Sequence, residues 1–324
     1  MDIKRVIGVS ALAVTTAGMT SAIYQTVAET TDRRRQRPPG RLVDAGGHRL
    51  HIMCAGGGSP SVVIITALGA SCLEWLEVQQ RLAQKTAVCV YDRSGTGWSD
   101  PPPTRRTGAH MAGELHTLLH NASVAPPYVL VGHSLGGLVT RMFAHLYPAE
   151  IAGIALIDSS HPEQSRRLPK TELPQHRGGT LLQAAQWLVK PLGLQRMAWD
   201  LGLRKTDPGW STHRRASAAE LLGFNGICRE VCNLGDLGDL PLTVLTSAEL
   251  DPTCSARAQR GRARFYPAWT ILQDELAALS SNSAHVTADY GGHHLNQQYP
   301  ELVAEVIERL VDQVRPSTVA GGGR

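Results

Sequence analysis

The chain has 324 residues, which suits one large domain, or one domain with an insertion, around a substantial core. Its hydrophobic content of 42% and charged content of 19% are typical of a globular protein and exclude a chain that is disordered throughout. The net charge is only +4, aromatic residues make up 5%, and no long basic run interleaves with aromatics, so nucleic acid is excluded as an expected partner.

The first 40 residues predict a hydrophobic leader followed by a basic linker. Residues 6–28 carry no charge, follow Lys4 and Arg5, and are long enough to span a bilayer, although polar side chains make them only marginally hydrophobic. The sequence predicts a single-pass membrane anchor here. A cleaved signal peptide, which would give a secreted protein, and a loose soluble extension are the alternatives. Five arginines within residues 33–41 favour keeping the following domain in the cytoplasm.

The body alternates short β-branched apolar runs with stretches of helical spacing. A hairpin is predicted over residues 41–54, and further strands over residues 61–66, 87–91, 128–131, 154–157, 242–245 and 285–288. Helices are predicted over residues 73–82, 110–120, 138–146, 269–279 and 302–314. Strands that are apolar on both faces and alternate with helices indicate an α/β fold. We therefore expect a mostly parallel, eight-stranded sheet with helices on both faces.

Residues 162–240 interrupt this alternation. They contain helix-like pieces and no convincing strand, which predicts a helical cap insertion over the carboxyl edge of the sheet, where open α/β folds bind ligands. A side domain without substrate contact is the alternative. The core domain would then comprise residues 41–161 and 241–315, and residues 316–324 would form a flexible tail.

The six cysteines do not define a compartment. They form no CxxC pair and no compact Cys/His cluster with the spacing of a zinc site. Cys54 and Cys89 fall in strand-like apolar runs and are predicted to be buried free thiols. A disulfide among the others stays open.

One segment carries a pattern typical of a catalytic nucleophile. Tyr128 to Phe143, YVLVGHSLGGLVTRMF, runs an apolar strand into Ser134, with Gly132 and Gly136 two positions to either side, and continues as a helix. In a strand–turn–helix context these glycines permit a tight turn that lifts the serine side chain clear of the sheet. The helix N-terminus below it supplies free N–H groups. Ser134 is therefore predicted to be a nucleophile.

The tight turn at Ser134 is of the kind called a nucleophile elbow. The turn from Tyr91 to Ser99, YDRSGTGWS, resembles the DxxGxGxS turn found in many proteins that have such an elbow. On these two motifs, over about residues 41–315, the chain resembles the α/β-hydrolase superfamily of esterase- and lipase-like serine hydrolases. Asp92 and Arg93 in the second motif are predicted to hold loops and to take no part in the chemistry.

The resemblance implies the order serine, acid, histidine along the chain. The small-Gly-His loop of the superfamily maps onto Gly291-Gly292-His293, so His293 is the predicted base, with His294 as the alternative. His285 lies in a strand-like run and is predicted to be a core or face residue. His133, beside the nucleophile, is predicted to have a packing role.

Two aspartates that end strands compete for the role of the acid. Asp251, in the segment TSAELDP, resembles the superfamily's acid loop and is preferred, although its distance along the chain from His293 is longer than usual. Asp158, which follows the run IALI, is the alternative, since some relatives carry their acid there.

An oxyanion hole needs two backbone donors. The resemblance places one at the N–H of Leu135 and the other at the N–H of Leu68. Leu68 lies in the loop where many relatives have His-Gly and this chain has Thr66-Ala67-Leu68.

The sequence thus predicts a serine hydrolase that needs no cofactor and no metal and cleaves a carboxylic ester of a small acyl substrate through an acyl-enzyme intermediate. Peptidase, thioesterase, lactonase and perhydrolase activities on the same triad are alternatives. A non-catalytic receptor or binding protein with this fold is an alternative of a different class.

Overall fold

The computed structural model describes residues 37–169, 211–249 and 255–315. Eight strands form one sheet. In chain order they are β1 Arg41–Asp44, β2 Arg49–Ala55, β3 Ser61–Ile65, β4 Val88–Tyr91, β5 Tyr128–His133, β6 Ile151–Ile157, β7 Leu242–Thr246 and β8 Ser283–Thr287. The spatial order is β1-β2-β4-β3-β5-β6-β7-β8. Only β2 runs against its neighbours β1 and β4, and the remaining pairs are parallel.

Eight helices accompany the sheet in the described part of the chain. They are α1 Leu76–Leu82, α2 Gly108–Asn121, α3 Leu135–Leu146, α4 Gln164–Arg167, α5 Ser211–Cys232, α6 Ala256–Ala277, α7 Leu295–Gln298 and α8 Pro300–Val314. Short 3-10 turns at Cys72–Trp75 and Pro148–Glu150 precede α1 and β6. Helix α8 shows how periodicity sets the packing face, because its buried residues recur every three or four positions: Val303, Ala304, Val306, Ile307, Leu310 and Val311.

Alternate residues of the central strands enter two different cores. On β3, Val62 and Ile64 pack with α1 and α8, whereas Val63 and Ile65 pack on the opposite face with α2, α3 and α5. Successive side chains of a strand point to opposite faces, so a strand covered on both sides must be apolar at every position. The predicted α/β fold with a mostly parallel eight-stranded sheet and helices on both faces is confirmed.

The predicted insertion is described only in part, since residues 170–210 lie outside the described residues. Helix α5, within that predicted segment, packs against α2 and α3. It contributes apolar side chains to the same core as β3, namely Phe224, Ile227, Cys228 and Val231. Helix α5 is therefore one of the helices that cover this face of the sheet.

The prediction of two free thiols is wrong. Cys54 on β2 and Cys89 on β4 are directly opposite in the antiparallel register and form a disulfide across a Cα–Cα distance of 4.1 Å. The sequence shows two cysteines in two apolar runs. It does not show that those strands are neighbours with these positions in register, which is a property of the folded sheet.

The predicted membrane anchor, residues 6–28, and the predicted tail, residues 316–324, lie outside the described residues. Within the described ranges, no helix has the length and apolar character required to cross a membrane.

Candidate active site

Ser134 lies at the junction of β5 and α3 and has the strained backbone expected of a nucleophile elbow. Its φ is 52° and its ψ is −121°, a region that L-residues rarely adopt. The backbone around it is anchored to the next strand, because Ser134 N–H donates to Ile157 O (3.3 Å) and Ser160 N–H donates to Ser134 O (3.0 Å). The side chain is half-buried at the carboxyl end of β5.

The two bracketing glycines are required by close approach of neighbouring atoms. A Cβ at Gly132 would lie 2.6 Å from the Cα of Gly137 across the turn. A Cβ at Gly136 would lie 2.1 Å from Ile65 O, at the end of β3. Gly136 therefore lets the start of α3 lie directly against the loop that follows β3, where the second oxyanion donor is predicted.

A histidine and an aspartate meet beside this elbow. The Nδ1–H of His293 donates to Asp158 Oδ2 at 2.6 Å. The Asp158 side chain is 3% exposed, whereas that of His293 is 40% exposed. Because the carboxylate only accepts, the bond places the proton on Nδ1 and leaves Nε2 free to act as a base.

Asp158 is held by further donors at the end of β6. Its Oδ1 accepts hydrogen bonds from the backbone N–H of Ser247 and from Nε1–H of Trp269, each at 2.9 Å. Burial by itself raises the pKa of the Asp158 carboxyl. The hydrogen bond and charge of His293, with the donors from Ser247 and Trp269, outweigh burial and leave that pKa below its ordinary value. Asp158 is thus ionised at neutral pH.

The structure brings the predicted base together with the alternative acid. Asp251, the preferred acid, lies outside the described residues. His285 lies on β8, where its Nδ1 pairs with Asp274 at 2.9 Å and its Nε2 contacts Thr246 Oγ1 at 2.7 Å.

The sequence does not predict that Trp269 and Ser247 take part in the site. Nothing in the sequence pattern marks them, since Ser247 acts through its backbone and Trp269 fits an ordinary apolar position of a helix.

His133 holds the loop that carries His293. It is fully buried, and its Nε2–H donates to the backbone carbonyl of His293 at 2.8 Å. Its ring centroid lies 4.9 Å from that of His293. Burial lowers the pKa of His133 to about 3, and any charge on His293 acts in the same direction, so His133 remains neutral at neutral pH.

The predicted oxyanion loop is a tight turn after β3. Ala70 N–H donates to Ala67 O at 3.1 Å, and Gly69 has a positive φ of 70°. Leu68 lies at the half-buried tip of this turn, and Leu135 is buried at the first position of α3. In such a turn the closing bond uses the N–H of the fourth residue and leaves that of Leu68 outside it.

His51, Cys72 and Asp92 form a buried group of the residue types that bind metals, with their ligand atoms within 4.8 Å of one another. Gly40 N–H donates to His51 Nε2 (3.0 Å), so His51 Nδ1 carries the proton that it donates to Asp92 Oδ2 (2.9 Å). Burial, followed by the charge of Asp92, raises the pKa of the Cys72 thiol. Through these hydrogen bonds the trio joins the turn after β4 to the N-terminal hairpin.

Comparison with known proteins identifies the family. A family model described as alpha/beta hydrolase fold matches residues 60–272. A solved thermophilic esterase of Thermogutta terrifontis has a TM-score of 0.58 at 20% identity, and the match covers 85% of this chain and 99% of that one. A candidate carbamate hydrolase, RutD, of Cronobacter sakazakii is 28% identical over 253 residues, which are 75% of this chain and 87% of that protein.

Another relative is matched over a short part of its length. A protein of Hormonema carpetanum, named "Probable transporter efuK", is 32% identical over 139 residues. These are 40% of this chain but only 20% of that protein.

The family model matches most of the chain, so the chain belongs to the α/β-hydrolase fold family. Membership supports hydrolase activity and leaves open the class of bond that is cleaved.

Proposed function

We propose that the protein is a serine hydrolase that cleaves carboxylic esters of small molecules through an acyl-enzyme intermediate. The observation that carries the proposal is the 2.6 Å bond from His293 Nδ1 to the buried carboxylate of Asp158, beside the strained elbow of Ser134. A serine hydroxyl becomes a nucleophile when a base removes its proton. This bond sets the tautomer of His293 that can do so.

In the proposed mechanism, Ser134 Oγ attacks the ester carbonyl while His293 Nε2 takes the hydroxyl proton. The negative charge that develops on the carbonyl oxygen is stabilised by the N–H groups of Leu135 and Leu68. The tetrahedral intermediate then collapses, the C–O bond to the alcohol breaks, and His293 returns the proton to the leaving alkoxide. A water molecule activated by His293 hydrolyses the acyl-enzyme in the same way and frees Ser134. Apart from the substrate and this water, the steps use side chains and backbone groups of the chain.

Asp158 is the proposed acid, in place of the preference for Asp251 that the sequence alone favours. An ionised, buried carboxylate bonded to Nδ1 stabilises the imidazolium that forms when His293 accepts the proton. Asp158 has this contact, and its low pKa keeps it ionised.

The residue at the elbow narrows the reaction class. A carboxylate nucleophile at this position would favour the dehalogenase and epoxide hydrolase reactions of the superfamily, and this chain has a serine. Serine attack leads to an acyl-enzyme, which fits esters and related acyl compounds. Carbamates are the second candidate, favoured by the relative from Cronobacter sakazakii.

The proposal is tested with a fluorophosphonate probe and a panel of p-nitrophenyl esters of increasing chain length, with one p-nitrophenyl carbamate added. We expect Ser134→Ala to abolish both labelling and turnover, because it removes the proposed nucleophile. Ser123→Ala is the matched control, since Ser123 is exposed and also has a positive φ, 56°. It should label and turn over like the parent.

Labelling of Ser134→Ala at another serine would contradict the nucleophile assignment. If the parent protein bound the esters without labelling or turnover, the non-catalytic receptor would replace the hydrolase. Turnover of the carbamate with no ester turned over would move the proposal to the second candidate.

A further inference from the structure

A buried ion pair lies directly behind the predicted oxyanion loop. Arg93, in the turn after β4, donates from Nε to Glu220 Oε1 at 2.6 Å and from Nη2 to Glu220 Oε2 at 2.9 Å. The two side chains are 1% and 0% exposed. Although burial lowers the pKa of Arg93, the charge and hydrogen bonds of Glu220 outweigh burial and leave that pKa raised, so the guanidinium is charged.

Stability alone is a weak reason to bury such a pair. Removing two charges from water costs free energy that their attraction does not reliably recover, and apolar replacements are often as stable. A fork-shaped guanidinium held by a carboxylate is, however, a rigid donor with fixed directions. The remaining donors of Arg93 therefore indicate what the pair is for.

Those donors all reach the loop after β3. Arg93 Nη1 donates to Thr66 O at 2.6 Å, and Nη2 donates to Ala67 O at 2.7 Å. Glu220 takes part as well, because Gly69 N–H donates to its Oε2 at 3.4 Å. The pair thus holds two carbonyls and one amide within four successive residues.

The contact to Ala67 O has a direct consequence for Leu68. The carbonyl of Ala67 and the N–H of Leu68 belong to one planar trans peptide, so they point in opposite directions. When Arg93 fixes that carbonyl on its own side, the Leu68 N–H is turned to the other side of the loop. That N–H is the second oxyanion donor of the proposed function.

We propose that Arg93 and Glu220 are positioning residues that orient the Leu68 N–H as an oxyanion donor, with helix α5 acting on the reaction through Glu220. This inference rests on the proposed function, because it assigns a task to one of its parts. The sequence predicts that Arg93 holds a loop. The proposal specifies that this loop is the one after β3, that the oriented peptide joins Ala67 to Leu68, and that the partner on α5 is Glu220.

The test compares an ester with the matching thionoester, in which sulfur replaces the carbonyl oxygen. Sulfur is a weak hydrogen-bond acceptor, so the ratio of kcat/KM for ester over thionoester reports on the oxyanion donors. Removing one such donor typically costs about 10²- to 10³-fold in kcat. In Glu220→Gln we expect kcat on the ester to fall about 10²-fold with little change in KM, and the ratio to fall about tenfold.

The matched control is Glu114→Gln. Glu114, on α2, forms a buried pair with Arg106, whose Nη1 donates to both carboxylate oxygens at 2.8 Å, and it makes no hydrogen bond to the loop among the described residues. We expect it to lose stability as Glu220→Gln does while its ester-to-thionoester ratio stays at the parent value. A ratio that fell equally in both variants would reduce the Arg93–Glu220 pair to an ordinary structural one.

The ratio does not depend on how much of a sample is folded, because both substrates meet the same active fraction. Arg93→Lys gives an independent variant, since an ammonium keeps the charge but has only three donors for the four hydrogen bonds that the guanidinium makes to Glu220, Thr66 O and Ala67 O. An unchanged ratio in Arg93→Lys and Glu220→Gln, in samples whose Ser134 still labels, overturns the positioning inference and leaves the proposed function intact. Failure of the parent to label overturns the proposed function itself.

Discussion

At the scale of single residues, the two oxygens of Asp158 have different tasks. Oδ1 accepts from Ser247 and Trp269, and Oδ2 accepts from His293. The donors from Ser247 and Trp269 fix the plane of the carboxyl group. Oδ2 is thereby held where it orients the imidazole of His293. This division predicts what an amide would do in its place.

In Asp158→Asn, the amide oxygen should stay with the two fixed donors, which turns the NH₂ group toward His293. Nδ1 of His293 must then accept, so the proton moves to Nε2 and the base is lost. We expect kcat on an activated ester to fall about 10⁴-fold, the loss seen when this replacement imposes the wrong tautomer in a serine protease. The replacement is nearly isosteric, so the parent KM should be largely kept.

Asp251→Asn is the comparison that decides between the two acids. We expect it to keep nearly full kcat under the same assay. Collapse of Asp251→Asn beside an active Asp158→Asn would return the role to the aspartate that the sequence favoured.

At the scale of elements, His133 joins the end of β5 to the loop after β8. Its Nε2–H bond to His293 O is the link. Since its pKa is about 3 when folded and about 6.5 in an unfolded chain, the unfolded chain binds a proton between these values that the native protein does not. Stability contributed by neutral His133 is therefore full above pH 6.5 and falls as the pH drops toward 3, by up to about 1.4 kcal/mol per pH unit.

His133→Gln should remove this titration while keeping an N–H donor for the His293 carbonyl. We expect the urea midpoint to drop less between pH 7.5 and pH 5 in His133→Gln than in the parent protein. His145→Gln, at an exposed position on α3, serves as the control and should follow the parent. A drop in His133→Gln as steep as that of the parent would show that His133 does not supply this pH dependence.

At the scale of the whole molecule, the disulfide between β2 and β4 bears on where the domain works. Such bonds persist in oxidising compartments and are rare where thiols are kept reduced. The Cys54–Cys89 bond thus favours a domain outside the cytoplasm, against the weak indication of the arginines in residues 33–41. It also ties an antiparallel strand of the sheet to the parallel part.

Two measurements test this bond. Because Cys54 is exposed, it would react with iodoacetamide if free, so mass spectrometry of the unreduced native protein should find Cys54 unmodified and linked to Cys89. Closing a loop between cysteines 35 residues apart corresponds to about 4 kcal/mol in the chain-entropy model, so reductant should lower the urea midpoint.

The double variant Cys54→Ala/Cys89→Ala should not respond to reductant. Alkylation of Cys54 in the unreduced protein would contradict the pairing and remove the argument about compartment.

The fold class and the candidate nucleophile could both be predicted from the amino-acid sequence, because both depend on local patterns. Doubly apolar strands alternate with helical spacing, and the bracket of Gly132 and Gly136 follows a strand and opens a helix. His293 also followed from a local motif, the glycine-rich loop after the last strand. Such signals depend on neighbours in the chain, so they survive without knowledge of the tertiary structure.

Contacts between groups that are far apart in the chain could be known only from the folded structure. Asp158 and His293 are 135 positions apart, Arg93 and Glu220 are 127, and Cys54 faces Cys89 through strand register. Both candidate acids satisfied the chain order, and both cysteines fitted buried thiols, so no local pattern could choose between the alternatives. Strand order and register set these contacts, and they arise from packing two faces of one sheet at once.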